Sequence, residues 1–345
     1  MAIYNNVEYK KEISNFSQSL DLSFFDGKTI FAAGACGLVM SYLIDTLLAD
    51  KALKIKIIAL AYRESDKSRF GYPDERLSFV FGDVRDCSVV KNVAEKVDIV
   101  INGASIVDPK GYKERPIDTM LINLMGTKNL LDLASRNRST FLLTSSCEIY
   151  GEADVPSIDE NYCGKLNSMD VRSCYNESKR ACETLAVSYA VEKGVRSLVA
   201  RLSRTFGPTQ SPKDTKALSQ FMRNAIEGED IVLKSKGTQL FSYTYVQDIV
   251  SGLFTILEKG ASSNAYNVCS RETLMLKDMA RICASYCEKD VVFDLNDDGF
   301  NKGGYSKASL AVQDPSKLES LGWSAKIGLK DGICRTIQML KEAYF

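Results

Sequence analysis

Tyr175 stands four residues before Lys179 in the stretch SCYNESKRACETLAVSYA, residues 173–190. On a helix, residues i and i+4 lie on one face, so one rigid element would present a phenol beside an ammonium. A free tyrosine titrates near about 10 and is a poor base at neutral pH. A neighbouring cation favours the phenolate. The spacing is equally that of an ordinary helix surface, so the chemistry depends on what the rest of the chain brings to the pair.

Composition narrows that chemistry. The 345 residues include no histidine, which removes Ser-His-Asp and Cys-His catalysis and histidine-ligated metals. Proton transfer falls to Tyr, Lys, Asp, Glu, Cys or Ser. The ten cysteines are scattered without a CxxC pair. Cys283 and Cys287 can share a helix face, but two thiols do not make a metal site, and no metal is expected. The cysteines read as small apolar residues of a reduced, cytoplasmic protein. Forty-four basic and 44 acidic side chains cancel, so nothing points to nucleic acid or an anionic membrane surface. The opening MAIYNNVEYKKEISNFSQSL is mixed and polar, unlike a signal peptide. The longest uncharged run, Thr29 to Ile44, is too short to span a bilayer.

The pair must be positioned by a scaffold, and the scaffold is readable from residue 28. Apolar runs KTIFAA, LKIKIIALAY, LSFVFGDVRD, KVDIVINGAS, STFLLTSSCEIYG and VRSLVARLSRTFGP alternate with helical patterns, including a long one from about Pro116 to Arg136. Alternation of this kind predicts an α/β fold: a doubly wound parallel sheet with helices on both faces. After Pro208 the pattern changes to helices at about 217–227 and 246–258 with short strand-like pieces, IVLKS and NAYNVCS. The expected organisation is an N-terminal extension over residues 1–27, a larger α/β domain over 28–207, and a smaller α/β lobe over 208–345, interleaved with the first.

FAAGACGLVM places Gly34 and Gly37 between the first strand and the first helix of the sheet. A dinucleotide fold needs small residues there, so that a pyrophosphate reaches the N–H groups of the helix N-terminus. The third position of the pattern, normally glycine, is Met40. No acid stands at Leu60 or Ala61 to bind a ribose. Arg63 follows, and an arginine there can face the 2′-phosphate of NADP or stack on adenine. Asp83 can accept from an adenine amino group or cap a helix.

With these pieces in order, the chain resembles the extended short-chain dehydrogenase/reductase family, which implies a dinucleotide-binding Rossmann domain over 28–207 and a mainly substrate-binding lobe over 208–345. Within it, the chain is similar to the nucleotide-sugar epimerases, 4,6-dehydratases and UDP-glucuronate decarboxylases. The resemblance rests on GACG, GDVRD, NLMGTKNLL, SSCEIYG, YNESK, RLSRTFGP and YTYVQD. It implies Tyr175 as catalytic base, Lys179 as holder of the nicotinamide ribose, and Ser146 as the hydroxyl that binds the sugar 4-OH. It implies a catalytic role for Glu148 and places Asn123 in the family's N…GT helix. It implies NAD, with NADP as the alternative, held by Gly34, Gly37, Arg63, Asp83, Val84, Ala104, Tyr175 and Lys179. Lys179 and an oxidised nicotinamide would both favour the phenolate. Lowering its pKa by about 3 units takes roughly 4 kcal/mol.

Three departures bear on the net reaction. Cys147 stands where 4,6-dehydratases resembling this chain carry an aspartic acid, and a thiol titrates near about 8.5. Phe241 replaces an arginine that contacts the substrate pyrophosphate, and Arg204 replaces an asparagine and can restore the charge from another direction. Ser219, Phe221 and Leu233 fall where the family's lobe grips the nucleotide base. The expected substrate contacts are thus Ser146, Cys147, Arg204 and Phe221. The expected function is oxidation at carbon 4 of a nucleotide-diphosphate sugar by bound NAD(P), followed by epimerisation, dehydration or decarboxylation. The alternatives are an NAD(P)H-dependent reductase and a non-catalytic dinucleotide-binding protein. Extra apolar positions on helices 116–136 and 173–192 lead to the expectation of a homodimer.

Overall fold

The computed structural model describes residues 3–295 and 310–344. Helix α1 (Val7–Gln18) is followed by the first βα unit, β1 (Thr29–Ala33) and α2 (Leu38–Ala49). Next come β2 (Lys56–Ala61), β3 (Leu77–Phe81), α3 (Cys87–Lys91), β4 (Ile99–Asn102) and α4 (Pro109–Glu114). Then follow α5 (Pro116–Asn137), β5 (Thr140–Ser146), α6 (Ser173–Lys193), β6 (Arg196–Leu202) and β7 (Arg204–Phe206). The remainder carries α7 (Ala217–Ile226), β8 (Ile231–Leu233), β9 (Leu240–Tyr245), α8 (Val246–Lys259) and β10 (Asn264–Val268). After it come β11 (Thr273–Met275), α9 (Leu276–Tyr286), β12 (Val291–Phe293), β13 (Leu310–Ala311) and a C-terminal helix, Leu329–Tyr344.

Seven strands form one parallel sheet in the order β10-β6-β5-β4-β1-β2-β3. The order reverses beside β1, between the outward runs to β3 and to β10, and such a switch point opens a crevice at the strands' carboxyl ends. The expected doubly wound sheet is therefore present. The strand-like run VRSLVARLSRTFGP divides: β6 stays in the large sheet, while β7 pairs with β9 in a second sheet that also contains β11 and β13. β12 pairs with β8.

Alternation along the strands supplies both faces of the sheet. Ile30 and Ala32 of β1 join one core, with Leu43 and Leu47 of α2 and Ile249 and Leu253 of α8. Phe31 and Ala33 join the other, with Leu130 and Ala134 of α5 and Cys182 and Ala186 of α6. This two-sided burial explains the near-continuous apolar runs in the sequence. Helices α5 and α6 run parallel: Asn123 Nδ2 donates to Ser178 Oγ at 2.8 Å and Thr127 Oγ1 to Cys182 Sγ at 3.2 Å, both at an offset of 55 residues.

Every residue of α2 from Met40 to Leu48 is buried, polar Ser41, Asp45 and Thr46 included, so the helix is covered on nearly all sides. Its outer cover is α1, from the mixed, polar N-terminus. Tyr9, Ile13 and Phe16 of α1 are buried, and Tyr9 packs edge-on to Tyr42 with ring centroids 6.0 Å apart. Buried Glu12 accepts from Tyr42 at 2.9 Å and from Tyr245 at 2.8 Å, tying α1 to α2 and to the end of β9.

Candidate active site

The carboxyl ends of β1, β4 and β5 open into a cavity of about 620 Å³. Its first wall is the turn from β1 to α2. Gly34 has φ +70°, and a Cβ there would lie 2.5 Å from the carbonyl oxygen of Gly103. Only glycine adopts this conformation at so close an approach. Gly37 is the N-cap of α2 and supplies no side-chain cap. The first-turn N–H groups of α2 thus remain available to an anion, reinforced by the helix dipole. Met40, in place of the third glycine, is buried, and its Cγ occupies the space that a Cβ on Gly103 would need, at 2.4 Å. The bulk absent from Gly103 makes room for it.

The dinucleotide residues expected from sequence are distributed unevenly. Asp83, Val84 and Ala104 line the cavity. Asp83 forms an ion pair with Arg85 at 2.7 Å, which holds its carboxyl below the usual range, and Asp86 rather than Asp83 caps α3. Tyr62 and Asp66 line the cavity, whereas the exposed Arg63 lies outside the lining with its guanidinium over the Tyr62 ring at 5.5 Å.

Helix α6 brings Tyr175 and Lys179 to the opposite wall, both buried. Lys179 Nζ lies 5.9 Å from the centre of the Tyr175 ring and donates to the Thr144 carbonyl at 2.9 Å. Burial pushes the ammonium pKa down. Burial also pushes the Tyr175 phenol up; a hydrogen bond with Ser146 opposes this, Glu148 and Cys147 add to it, and Arg172 opposes it. Arg172 is thus a second cation near the phenol besides Lys179, and sequence reasoning did not single it out. Its position three residues before Tyr175, one helical turn away, was the available signal.

Ser146 ends β5, and its hydroxyl accepts from the Glu148 N–H at 3.2 Å. Glu148 is held from two sides: Arg172 Nη2 donates at 2.9 Å and Arg204 Nη2 at 3.1 Å. Arg204 is stacked on Phe241, 3.7 Å from the ring centre, and its buried Nε has no hydrogen-bond partner among the described residues. The arginine on β7 therefore brings its charge over the position on β9 where the family pattern has arginine. Cys147 lines the cavity beside them, and burial, then Glu148, pushes its thiol up to about 11.

Leu218 and Ser219 of α7 line the far end of the cavity with Gln239 and Leu276, while Phe221 and Leu233 are buried in the apolar core. Asn123 lies at the α5–α6 contact. Among the described residues no cluster of three or more potential ligands could hold a metal ion, and no helix is long and apolar enough to cross a membrane.

Sheet order, an uncapped helix N-terminus at the switch point and a buried phenol–ammonium pair across the cleft together define a dinucleotide-dependent enzyme. The family model described as NAD dependent epimerase/dehydratase family matches residues 30–269, and the chain belongs to that family. It is 31% identical over 319 residues to UDP-glucuronic acid decarboxylase 6 of Arabidopsis thaliana, covering 90% of this chain and 88% of that one. It is 30% identical over 331 residues to UDP-glucuronic acid decarboxylase 1 of Xenopus tropicalis, covering 93% and 74%. A similar solved structure is UDP-glucuronic acid 4-epimerase from Bacillus cereus in complex with UDP-glucuronic acid and NAD. Its TM-score is 0.79 at 19% identity, over 92% of this chain and 100% of that one.

The residues present fit NAD. A Cβ added at Gly37 would meet only the Gly34 carbonyl, at 3.2 Å, so the cradle at α2 is open toward the cavity. Lys179 stands at the other end as a buried donor.

Proposed function

We propose that this enzyme removes the carboxyl group of a UDP-linked uronic acid after oxidising the sugar at carbon 4. The observation that carries the reading is Glu148 held between Arg172 and Arg204 in the cavity that Ser146 and Tyr175 also line. Two guanidinium groups around one carboxylate leave one positive charge beside the reacting sugar, and among the described residues the Arg204 Nε has no hydrogen-bond partner. That excess charge suits a substrate carboxylate, and the similarity to UDP-glucuronic acid decarboxylases points the same way.

NAD, held by the N-terminus of α2 and by Lys179, would supply the hydride acceptor and donor of a redox-neutral cycle. Tyr175 takes the proton of the 4-hydroxyl, which Ser146 orients. Lys179 holds the ribose of the cofactor. The 4-ketone is β to the carboxylate on carbon 5, so the carbon–carbon bond to the carboxylate breaks. Its electron pair enters the enolate, and carbon dioxide leaves. The enolate then takes a proton from water at carbon 5, and Tyr175 returns its own proton to the 4-oxygen as the ketone is reduced. Arg204, seated beside Glu148, holds the carboxylate until it departs. Water loss would need a stronger acid than the Cys147 thiol, pushed up to about 11 by burial.

The working unit in this reading is a homodimer. Ile117, Leu121 and Met125 of α5 and Val187 and Val191 of α6 are exposed at i, i+4 spacing, forming two apolar stripes on adjacent helices.

The test is single-turnover nicotinamide absorbance with carbon dioxide release, using UDP-glucuronic acid, UDP-glucose and dTDP-glucose. Wild type should reduce its cofactor and release carbon dioxide with the first. Tyr175→Phe should slow reduction by at least about a hundredfold. Conversion of a neutral sugar with no carbon dioxide from the uronic acid would overturn the decarboxylase reading. Equal rates for Tyr175→Phe and wild type would overturn the role of the tyrosine.

A further inference from the structure

We infer that Arg172 is a positioning residue for Tyr175: it neutralises Glu148 and clamps Tyr112 flat against the Tyr175 ring, keeping the phenol able to lose its proton. The inference rests on the reading of Tyr175 as the acid–base group.

Three contacts of one guanidinium carry it. Nη2 donates to Glu148 Oε2 at 2.9 Å, and Nη1 donates to Asn176 Oδ1 at 2.8 Å. The guanidinium carbon lies 4.5 Å from the centre of the Tyr112 ring, and Tyr112 stacks on Tyr175 with centroids 4.7 Å apart and planes 25° apart. Asn176 closes the loop, its Nδ2 donating to the Glu148 carbonyl at 2.5 Å. Arg172, at the start of α6, thus ties the loop after β5 and helix α4 to the face of the catalytic ring.

Among the described residues, Tyr175 is faced by Ser146 at the end of β5, Cys147 and Glu148 in the loop after it, Tyr112 of α4, Arg172 at the N-cap of α6 and Lys179 within α6. Lys179 directs a hydrogen bond to the Thr144 carbonyl. Glu148 is the nearby negative charge and opposes ionisation of the phenol. A cation that pairs with Glu148 removes that opposition and adds its own attraction for the phenolate. The stacked Tyr112 also excludes water from one face of the ring, which strengthens both effects.

The experiment uses the NAD-loaded protein with two readouts. One is tyrosinate absorbance against pH, each protein minus its Tyr175→Phe counterpart, which isolates this one phenol. The other is the pH profile of nicotinamide reduction with UDP-glucuronic acid. Arg172→Gln should move the midpoint up by about one to two pH units in both, so that rate is lost at neutral pH and recovers in alkali. Arg172→Lys keeps the charge and should move it by less than about half a unit while lowering the rate, because the fork to Glu148 and Asn176 is gone. In the double variant Glu148→Gln/Arg172→Gln the tyrosinate midpoint should return most of the way to wild type. A merely structural arginine would lower stability or rate with both midpoints unchanged, and that result overturns the inference. Full activity in Tyr175→Phe would instead overturn the underlying function reading, and the inference with it.

Discussion

Gly34→Ala and Gly37→Ala separate two glycines that the sequence pattern treats alike. Gly34 has φ +70°, which costs alanine about 1 kcal/mol. Its new Cβ would lie 2.5 Å from the Gly103 oxygen, 2.6 Å from the Gly103 carbonyl carbon and 2.7 Å from the Ala104 nitrogen. These are backbone atoms at the exit of β4, so no rotamer change relieves the contact, and overpacking of this kind costs about 1–3 kcal/mol. The sum is about 2–4 kcal/mol. At roughly 2 °C per kcal/mol for a large domain, the melting temperature should fall by about 4–8 °C. Gly37 has φ −77°, and a Cβ there meets only the Gly34 oxygen at 3.2 Å. Its replacement should cost about 1 kcal/mol or less. Thermal unfolding measures the stability of both variants, and isothermal titration with NAD measures the cradle. Gly34→Ala should also weaken NAD at least about tenfold, since the turn that aims the α2 N–H groups must shift; a tenfold change is about 1.4 kcal/mol. Equal melting temperatures for the two variants, or a Gly34→Ala protein as stable as wild type, would refute this account of the turn.

The buried Asp45 carboxyl accepts from Tyr9 at 2.5 Å and Tyr72 at 2.6 Å, yet burial pushes it up to about 6. A carboxyl raised in the folded state stays protonated where the unfolded chain has already released its proton. Wild-type stability should therefore fall as pH rises from about 4 to 6 and level off above, by about 3 kcal/mol in total for this group. Asp45→Asn should flatten that slope in chemical unfolding followed across this range; an unchanged slope would assign the pH dependence elsewhere. The proposed dimer should dissociate when Met125 and Val191 are both replaced by Asp, with light scattering reporting the mass of one chain while the melting temperature changes little, as both positions are exposed.

Local rules sufficed for much of this molecule. Apolar runs of strand length separated by helical patterns dictate a parallel sheet, because strands buried on both faces cannot alternate. An i, i+4 tyrosine and lysine share a helix face wherever that helix lies, and a glycine pair between strand and helix marks the switch-point turn. The substitution of Met40 became intelligible only with the fold: the space it fills on α2 is left by Gly103, 63 residues away in the chain, at the exit of β4. The mixed N-terminus hid a buried cover for α2, because Glu12 is polar by type and becomes a core residue only when Tyr42 and Tyr245 converge on it. The charge at the site likewise belongs to tertiary structure. Glu148 meets Arg172 and Arg204 from positions 24 and 56 residues away, and their distances from Glu148 depend on how α6 and β7 meet the end of β5. Coulomb energies vary with separation and burial, and neither quantity can be read from a residue's place in the chain.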